Sequence, residues 1–333
     1  MRVLYAIQGT GNGHLSRARD VIPALLKKGV SLDILVSGIQ ADIQLPYPVK
    51  YQLKGLSFIF GKKGGVDMWK TYYRANSLRL QREIKSIPVQ EYDLIINDFE
   101  PVTAWACKLK HKPCYSFSHQ SAVLSPNAPK PKKKDPMGKW ILQNYAPTSH
   151  QFGLHFKSYE PTIHTPIIRK DIRLSEITKS DHYTVYLPSY SDEKLLKFLS
   201  QIKRVKWEVF SKHNKREHFN ENIYIKPITN EAFVKSMASS KGVLCGAGFE
   251  TPAESLFMKK KLLVIPMKGQ YEQQCNAAAL EQMGVSVIKS LKNKHLTKLK
   301  CWLDTETIVE VDYPDITDDI VNQLLEKSRT TTY

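Results

Sequence analysis

Two glycine-rich segments at opposite ends of the chain restrict its fold more than any other feature. They are GTGNGHLSRA at residues 9–18, and GAGFETPAES followed by GQYEQQCNA within residues 246–277. Each follows an apolar run and opens an amphipathic pattern, so each reads as a strand, a turn and a helix. A helix start leaves backbone N–H groups unpaired and the positive end of the macrodipole exposed, which suits a phosphate or another anion. Two such turns in two α/β halves point to an enzyme that works in a cleft.

A length of 333 residues with 42% apolar content is more than one core usually serves, so two domains are expected. The formal charge of +17, from 49 Lys and Arg against 32 Asp and Glu, attracts polyanions, anionic membrane surfaces or phosphorylated substrates without choosing among them. The opening MRVLYAIQGTG has too short an apolar run for a signal peptide or a spanning helix. Cys107, Cys114, Cys245, Cys275 and Cys301 lack CxxC spacing, so they read as reduced thiols of a cytoplasmic protein, and a zinc site is not expected.

Apolar runs predict strands at residues 2–7, 31–37, 93–97 and 112–118 in the first half. In the second half they fall at 183–187, 205–210, 222–226, 242–245, 262–266 and 286–288. Helical patterns lie between most of them, which implies parallel sheets. The first helix is expected from Leu15 to Gly29 with a kink at Pro23, and a last helix at 315–327 that packs back across the domain junction. Residues 54–85 interleave aromatic and cationic side chains; they read as a loop and a solvated helix face, with membrane or acceptor contact as the sharper alternative. Residues 125–136, SPNAPKPKKKDP, read as a mobile surface loop before a short helix near the cleft mouth.

The glycines of the first turn, Gly9, Gly11 and Gly13, alternate rather than follow GxGxxG, and no acidic residue ends the second strand, so a dinucleotide site is disfavoured. His14, at the start of the helix, is a candidate general base facing the cleft. Asp98 and Glu100 follow a strand at the carboxyl edge of the sheet, where open α/β folds bind ligands, and either is placed to orient His14. His119, with Ser118 and Gln120, ends the next strand in the same way and is a candidate for holding a substrate hydroxyl. Nothing of GxSxG type is present, so covalent hydrolase chemistry is unsupported. In the second half, Thr251 is expected as an N-cap with Pro252 at the first helical position. Glu254 is then either the partner in a capping box or a ligand. Gln270, Glu272, Gln273, Gln274 and Asn276 crowd one loop-to-helix junction, and amides that both donate and accept suit sugar or ribose hydroxyls.

Together these segments resemble the GT-B glycosyltransferases, in particular the branch of the bacterial N-acetylglucosaminyltransferase that makes the lipid-linked peptidoglycan precursor. The likeness spans nearly the whole chain, and residues 246–284 carry its stronger part. The resemblance implies two Rossmann-like domains facing across a cleft, an acceptor-side domain at 1–165 and a donor-side domain at 166–314. It implies that Glu254 binds the ribose, that Gln270, Gln273 and Gln274 meet the donor sugar, and that Gly246, Ala247, Gly248 and Phe249 lie beside the diphosphate. Arg169, in TPIIRKDI, takes the place of the family's arginine near the donor. His14 with Asp98 would do the chemistry, and Gly11, Asn12, Gly13, Glu100 and His119 would line the acceptor side. The chain departs from the family at residues 187–193, LPSYSDE, where a glycine-rich turn is usual; Ser189 still offers a hydroxyl to a phosphate, but Pro188 removes a backbone donor.

The expected activity is therefore inverting, metal-independent transfer of a sugar from a nucleoside diphosphate, uridine by the family's habit, to a hydroxyl acceptor. The basic surface points to a lipid-linked or membrane-proximal acceptor and to a place at the inner face of the membrane. No separate cofactor and no nucleic-acid partner are expected. The alternatives are a nucleotide-sugar epimerase of the same fold and a noncatalytic protein that binds polyanions or nucleic acid.

Overall fold

The first strand of the chain, β1 (Arg2–Gln8), is apolar on both faces, and residues 3–7 are fully buried, as a parallel strand covered by helices on both sides requires. The chain is described here from a computed structural model that covers residues 1–38, 45–56 and 77–330. β1 pairs in parallel with β2 (Ser31–Ser37), which pairs with β3 (Tyr51–Leu53). On its other side lie β4 (Leu94–Asp98), β5 (Tyr115–Ser118), β6 (His150–Leu154) and β7 (Ile163–His164), all parallel. The order β3-β2-β1-β4-β5-β6-β7 reverses between β1 and β4, and the carboxyl ends of those two strands therefore flank a crevice.

The second sheet repeats this plan. Its strands are β8 (Tyr183–Tyr186), β9 (Trp207–Ser211), β10 (His218–Asn220), β11 (Ile223–Pro227), β12 (Gly242–Gly246), β13 (Lys261–Ile265) and β14 (Ser286–Val287). The order is β10-β11-β9-β8-β12-β13-β14, parallel except for β10 against β11, and it reverses between β8 and β12. The turn after β8 carries Ser189, and the turn after β12 carries Gly246 to Phe249, so the second crevice receives both.

Seven helices position the site: α1 (Asn12–Lys27), α2 (Pro101–Leu109), α3 (His119–Leu124), α4 (Pro136–Tyr145), α5 (Glu250–Phe257), α6 (Tyr271–Gln282) and α7 (Thr317–Thr330). The apolar face of α1, with Leu15, Ala18, Val21, Ile22 and Leu25, packs beside Ile320, Val321, Leu324 and Leu325 of α7 in one core. Lys27 pairs with Asp318 at 2.7 Å on the outside of this contact. The last helix therefore packs on the first helix of the chain. Helix α4 in turn packs against α6 of the second half.

Several expectations are corrected. Strand β5 pairs only from Tyr115, because Pro113 has no N–H for a ladder. Helix α1 begins at Asn12, ahead of Leu15, and its N-cap Gly11 has φ 91°, a conformation that disfavours any side chain. Helix α5 begins at Glu250, so Thr251 and Pro252 already lie inside it and the capping box with Glu254 does not form. The loop at 125–136 is tied down rather than free. Ala128 is buried, and the Lys130 ammonium donates to the carbonyls of Ser125 at 2.6 Å and Ala128 at 2.7 Å. All five cysteines are free thiols. Of the aromatic and basic stretch at 54–85, the part from 57 to 76 lies outside the described residues.

Candidate active site

His14 stands on the first turn of α1, and Asp98 ends β4, one strand away across the crevice. His14 Nδ1–H donates to Asp98 Oδ1 at 2.7 Å, which assigns the ring proton to Nδ1 and leaves Nε2 for the cleft. Arg17, one turn further along the same helix face, donates from Nη2 to both Asp98 oxygens at 2.7 and 2.8 Å. Asp98 is fully buried. Burial alone would raise its carboxyl, but Arg17 and His14 together hold it below the usual carboxylate range.

The other guanidinium nitrogen of Arg17, Nη1, donates to Glu250, the first residue of α5 in the second half. The approach needs Gly13, where a Cβ would stand 3.1 Å from Glu250 Cγ. A buried cation thus links carboxylates from both sheets. Burial pushes the Glu250 carboxyl up to about 7; Arg17 opposes that rise, and the charge of nearby Glu254 adds to it. Further bonds cross the cleft beside this one. His119 Nε2 lies 2.7 Å from Asn276 Oδ1, and Gln120 Nε2 donates to Glu272 at 3.1 Å.

A pocket of about 260 Å³ opens over His14, lined also by Gln8, Arg17, Phe99, Glu250 and Gln273. The side-chain amide oxygens of Gln8, Gln120 and Gln270, which share this lining, are buried and have no hydrogen-bond partner among the described residues. Unpaired buried acceptors are costly, so a ligand rich in hydroxyl donors fits them. Phe99 lies in the left-handed region at φ 56°, a strained conformation for a bulky residue. Its ring is parallel to that of His14 at a centroid distance of 6.4 Å and packs on Tyr145 at 4.8 Å.

The remaining candidates divide. Glu100 does not reach the cleft: it is fully buried and caps α2, accepting from the N–H groups of Val102 at 2.7 Å and Thr103 at 2.6 Å and from the Ser37 hydroxyl. Pro101 at the first helical position was the signal for that cap. His119 lines the pocket with a ring stacked on Phe249 at 3.9 Å, but Leu154 O and Asn276 Oδ1 occupy its two nitrogens, so it joins the halves instead of holding a hydroxyl. Arg169 and Glu254 form a two-point ion pair, Nε to Oε1 at 2.5 Å and Nη2 to Oε2 at 2.9 Å. Gln273 Oε1 accepts from Met267 N–H, and Gln274 Nε2 donates to Met267 O, so both brace the loop before α6. Gly248 and Phe249 line the cleft, Phe249 also joining the core, whereas Ala247 is buried in the core alone. Arg17 and Glu250 were missed as site residues. Arg17 was visible as the residue one turn after His14; Glu250 was not, since its partner lies 233 residues away.

Two mostly parallel α/β sheets whose crevices face one another across such a site define a GT-B glycosyltransferase. Residues 1–305 match the sequence profile of glycosyl transferase family 1, and the chain belongs to that family. Among solved structures it resembles MurG of Acinetobacter baumannii, with a TM-score of 0.56 at 14% identity over 98% of this chain and 99% of that one. It also resembles UGT89C1 of Arabidopsis thaliana, solved with UDP, at 0.59 and 14% over 98% and 94%. A third is the spinosyn rhamnosyltransferase SpnG with thymidine diphosphate, at 0.56 and 11% over 99% and 96%. No curated protein matches the chain significantly in sequence.

The raised Glu250 carboxyl makes stability depend on pH. Between about 4.5, its ordinary value, and about 7, the folded chain binds a proton that the unfolded chain has released, so stability falls as pH rises through that window. Asp98 acts oppositely and only in acid, where stability is lost as pH falls below its ordinary value of 3.8. Urea unfolding across the upper window should show the decline in the wild type and a flatter curve in Glu250→Gln. Equal slopes would remove Glu250 from the account.

Proposed function

We propose that the chain transfers a sugar from a nucleoside diphosphate to an acceptor hydroxyl, with His14 as the base. The observation that carries this reading is the orientation of His14: Asp98 accepts the hydrogen bond from Nδ1–H, which leaves Nε2 for a pocket whose opposite wall is the start of α5. Nε2 accepts the proton of the acceptor hydroxyl, and that oxygen forms a bond to the anomeric carbon while the bond from this carbon to the diphosphate oxygen breaks. One displacement inverts the configuration. The leaving group takes the electron pair and is stabilised by the amide groups at Gly246, Gly248 and the start of α5, and by Arg169 and the Ser189 hydroxyl. The proposed mechanism uses these fixed dipoles and cations in place of a metal.

On the donor side, Glu254 accepts the ribose hydroxyls through the lone pairs that Arg169 leaves free. Gln270, Gln273 and Gln274 meet the donor sugar. The diphosphates bound by the plant and spinosyn proteins carry pyrimidine bases, which supports a pyrimidine donor here, uridine in this reading. Thermal unfolding with a panel of nucleoside diphosphates should give a selective upward shift with uridine diphosphate. Replacing His14 by Ala should leave that shift in place and lower turnover roughly 10²- to 10⁴-fold, the usual contribution of a general base. Turnover that survives the substitution would remove His14 from this role; loss in the presence of a chelator would remove metal independence.

The acceptor in this reading is presented at an anionic membrane surface. Helix α4 exposes Met137 at 65% and Trp140 at 61%, beside the exposed Lys132, Lys133, Lys134 and Lys139. An apolar side chain flanked by cations is the pattern of interfacial binding. A groove of about 130 Å³ between α4 and the loop before α6, lined by Phe99, Ile141 and Leu142, lies next to them. No helix among the described residues is long and apolar enough to cross a membrane. Sedimentation with vesicles should show binding that requires phosphatidylserine, weakens with salt and falls in Trp140→Ser. Binding indifferent to lipid charge and to Trp140 would reject the membrane reading and leave the transfer reaction untouched.

A further inference from the structure

A second cavity, of about 280 Å³, lies within the first half of the chain, under β5, β6 and β7 and against α3 and α4. It is far larger than the ~10–15 Å³ of probe-occupied volume that a single water needs. The alternation of β5, Tyr-Ser-Phe-Ser, creates it. Tyr115 and Phe117 enter the core shared with α1 and α7, while Ser116 and Ser118 face the opposite side and leave it unfilled. The rim adds Gln143, Thr148 and Thr162. Gln120 is 6% exposed; its Nε2 reaches Glu272 across the cleft, and its Oε1 is buried with no partner among the described residues.

The lining excludes some ligands by its chemistry. No Lys, Arg or His stands among the described residues that line this cavity, and its one ionisable side chain is the acidic Glu160. A phosphate would meet no cation there, and a hydrocarbon would strand hydroxyls and amides. Phe99 and Gln120 also line the pocket over His14, so the two spaces share a wall.

We propose that this cavity is a subsite for a neutral, hydroxyl-rich ring of the acceptor, a sugar or a cyclitol, which packs against Phe99 and presents one hydroxyl toward His14. The inference rests on the transferase reading only for that last step; binding of the ring itself does not. Any lipid part of the acceptor would continue outside the cavity, toward the apolar groove that Phe99 and Leu142 also line.

The test is saturation-transfer NMR on the full chain with methyl glucoside, methyl N-acetylglucosaminide and myo-inositol as probes, each compared with glucose 1-phosphate and with uridine diphosphate in the same samples. At least one neutral ring should receive saturation and bind more tightly than glucose 1-phosphate. The filling substitution Ser116→Leu should weaken it about tenfold or more, the size of one lost hydrogen bond or greater, and leave uridine diphosphate unaffected. Thr162→Leu, at the partly exposed rim, does the same job if Ser116→Leu does not fold, with folding read from thermal unfolding. No saturation of any neutral ring, equal binding in the folded variants, or tighter binding of the phosphate would overturn the subsite. Loss of uridine diphosphate binding alone would instead count against the transferase reading and leave the subsite standing.

Discussion

The guanidinium of Arg17 is the element on which the rest of the site depends. It is 1% exposed, and a cation removed from water to that degree persists only where carboxylates and hydrogen bonds replace its hydration. Asp98 supplies two bonds from the first sheet and Glu250 another from the second. Deleting one partner of such a buried group costs about 3–5 kcal/mol, because the other charge is left unpaired. The position of α5 relative to α1 is thereby coupled to the ionisation of Asp98, and Asp98 in turn fixes the ring of His14. One charge cluster therefore closes the cleft and orients the base within it.

Topology explains why these residues meet. In each sheet the strand order reverses once, between β1 and β4 and between β8 and β12, and the loops that bear His14, Ser189 and residues 246–249 leave the carboxyl ends of strands that flank those points. His14 and Asp98 come from neighbouring strands of one reversal, while Ser189 and residues 246–249 come from the other. Helix α4 and the final helix α7 add contacts between elements distant in sequence, so these helices tie the chain together in addition to the bonds across the site.

Much of this was legible in the chain. The strand from 31 to 37 was placed to the residue, since its apolar run is bounded by Gly29 and Gly38. His14 and Asp98 were found because both stand at strand ends in a parallel α/β pattern. What stayed hidden has a physical cause in each case. Strands β3, β7 and β10 have only two or three residues, and β6 mixes His, Gln and Gly with its apolar positions, so none offers a run to read. Glu100 looked like a cleft residue from its place after β4, but the proline that follows it made it a helix cap. Glu254 read as either half of a capping box or a ligand, yet α5 starts two residues earlier and frees it for Arg169. Pairings such as Arg17 with Glu250 and His119 with Asn276 arise only when two sheets dock, and no local pattern encodes them.

The central claim, that Asp98 holds His14 with its proton on Nδ1 and its Nε2 open to the cleft, is tested most directly by the tautomer of that ring. Protein labelled with nitrogen-15 at histidine, studied by NMR at mildly alkaline pH with His14→Ala to assign the signals, reports which nitrogen carries the proton. The account predicts a protonated Nδ1 and an unprotonated Nε2 for His14, with the preference lost in Asp98→Asn. A proton on Nε2 in the wild type would leave no lone pair facing the acceptor and would contradict it.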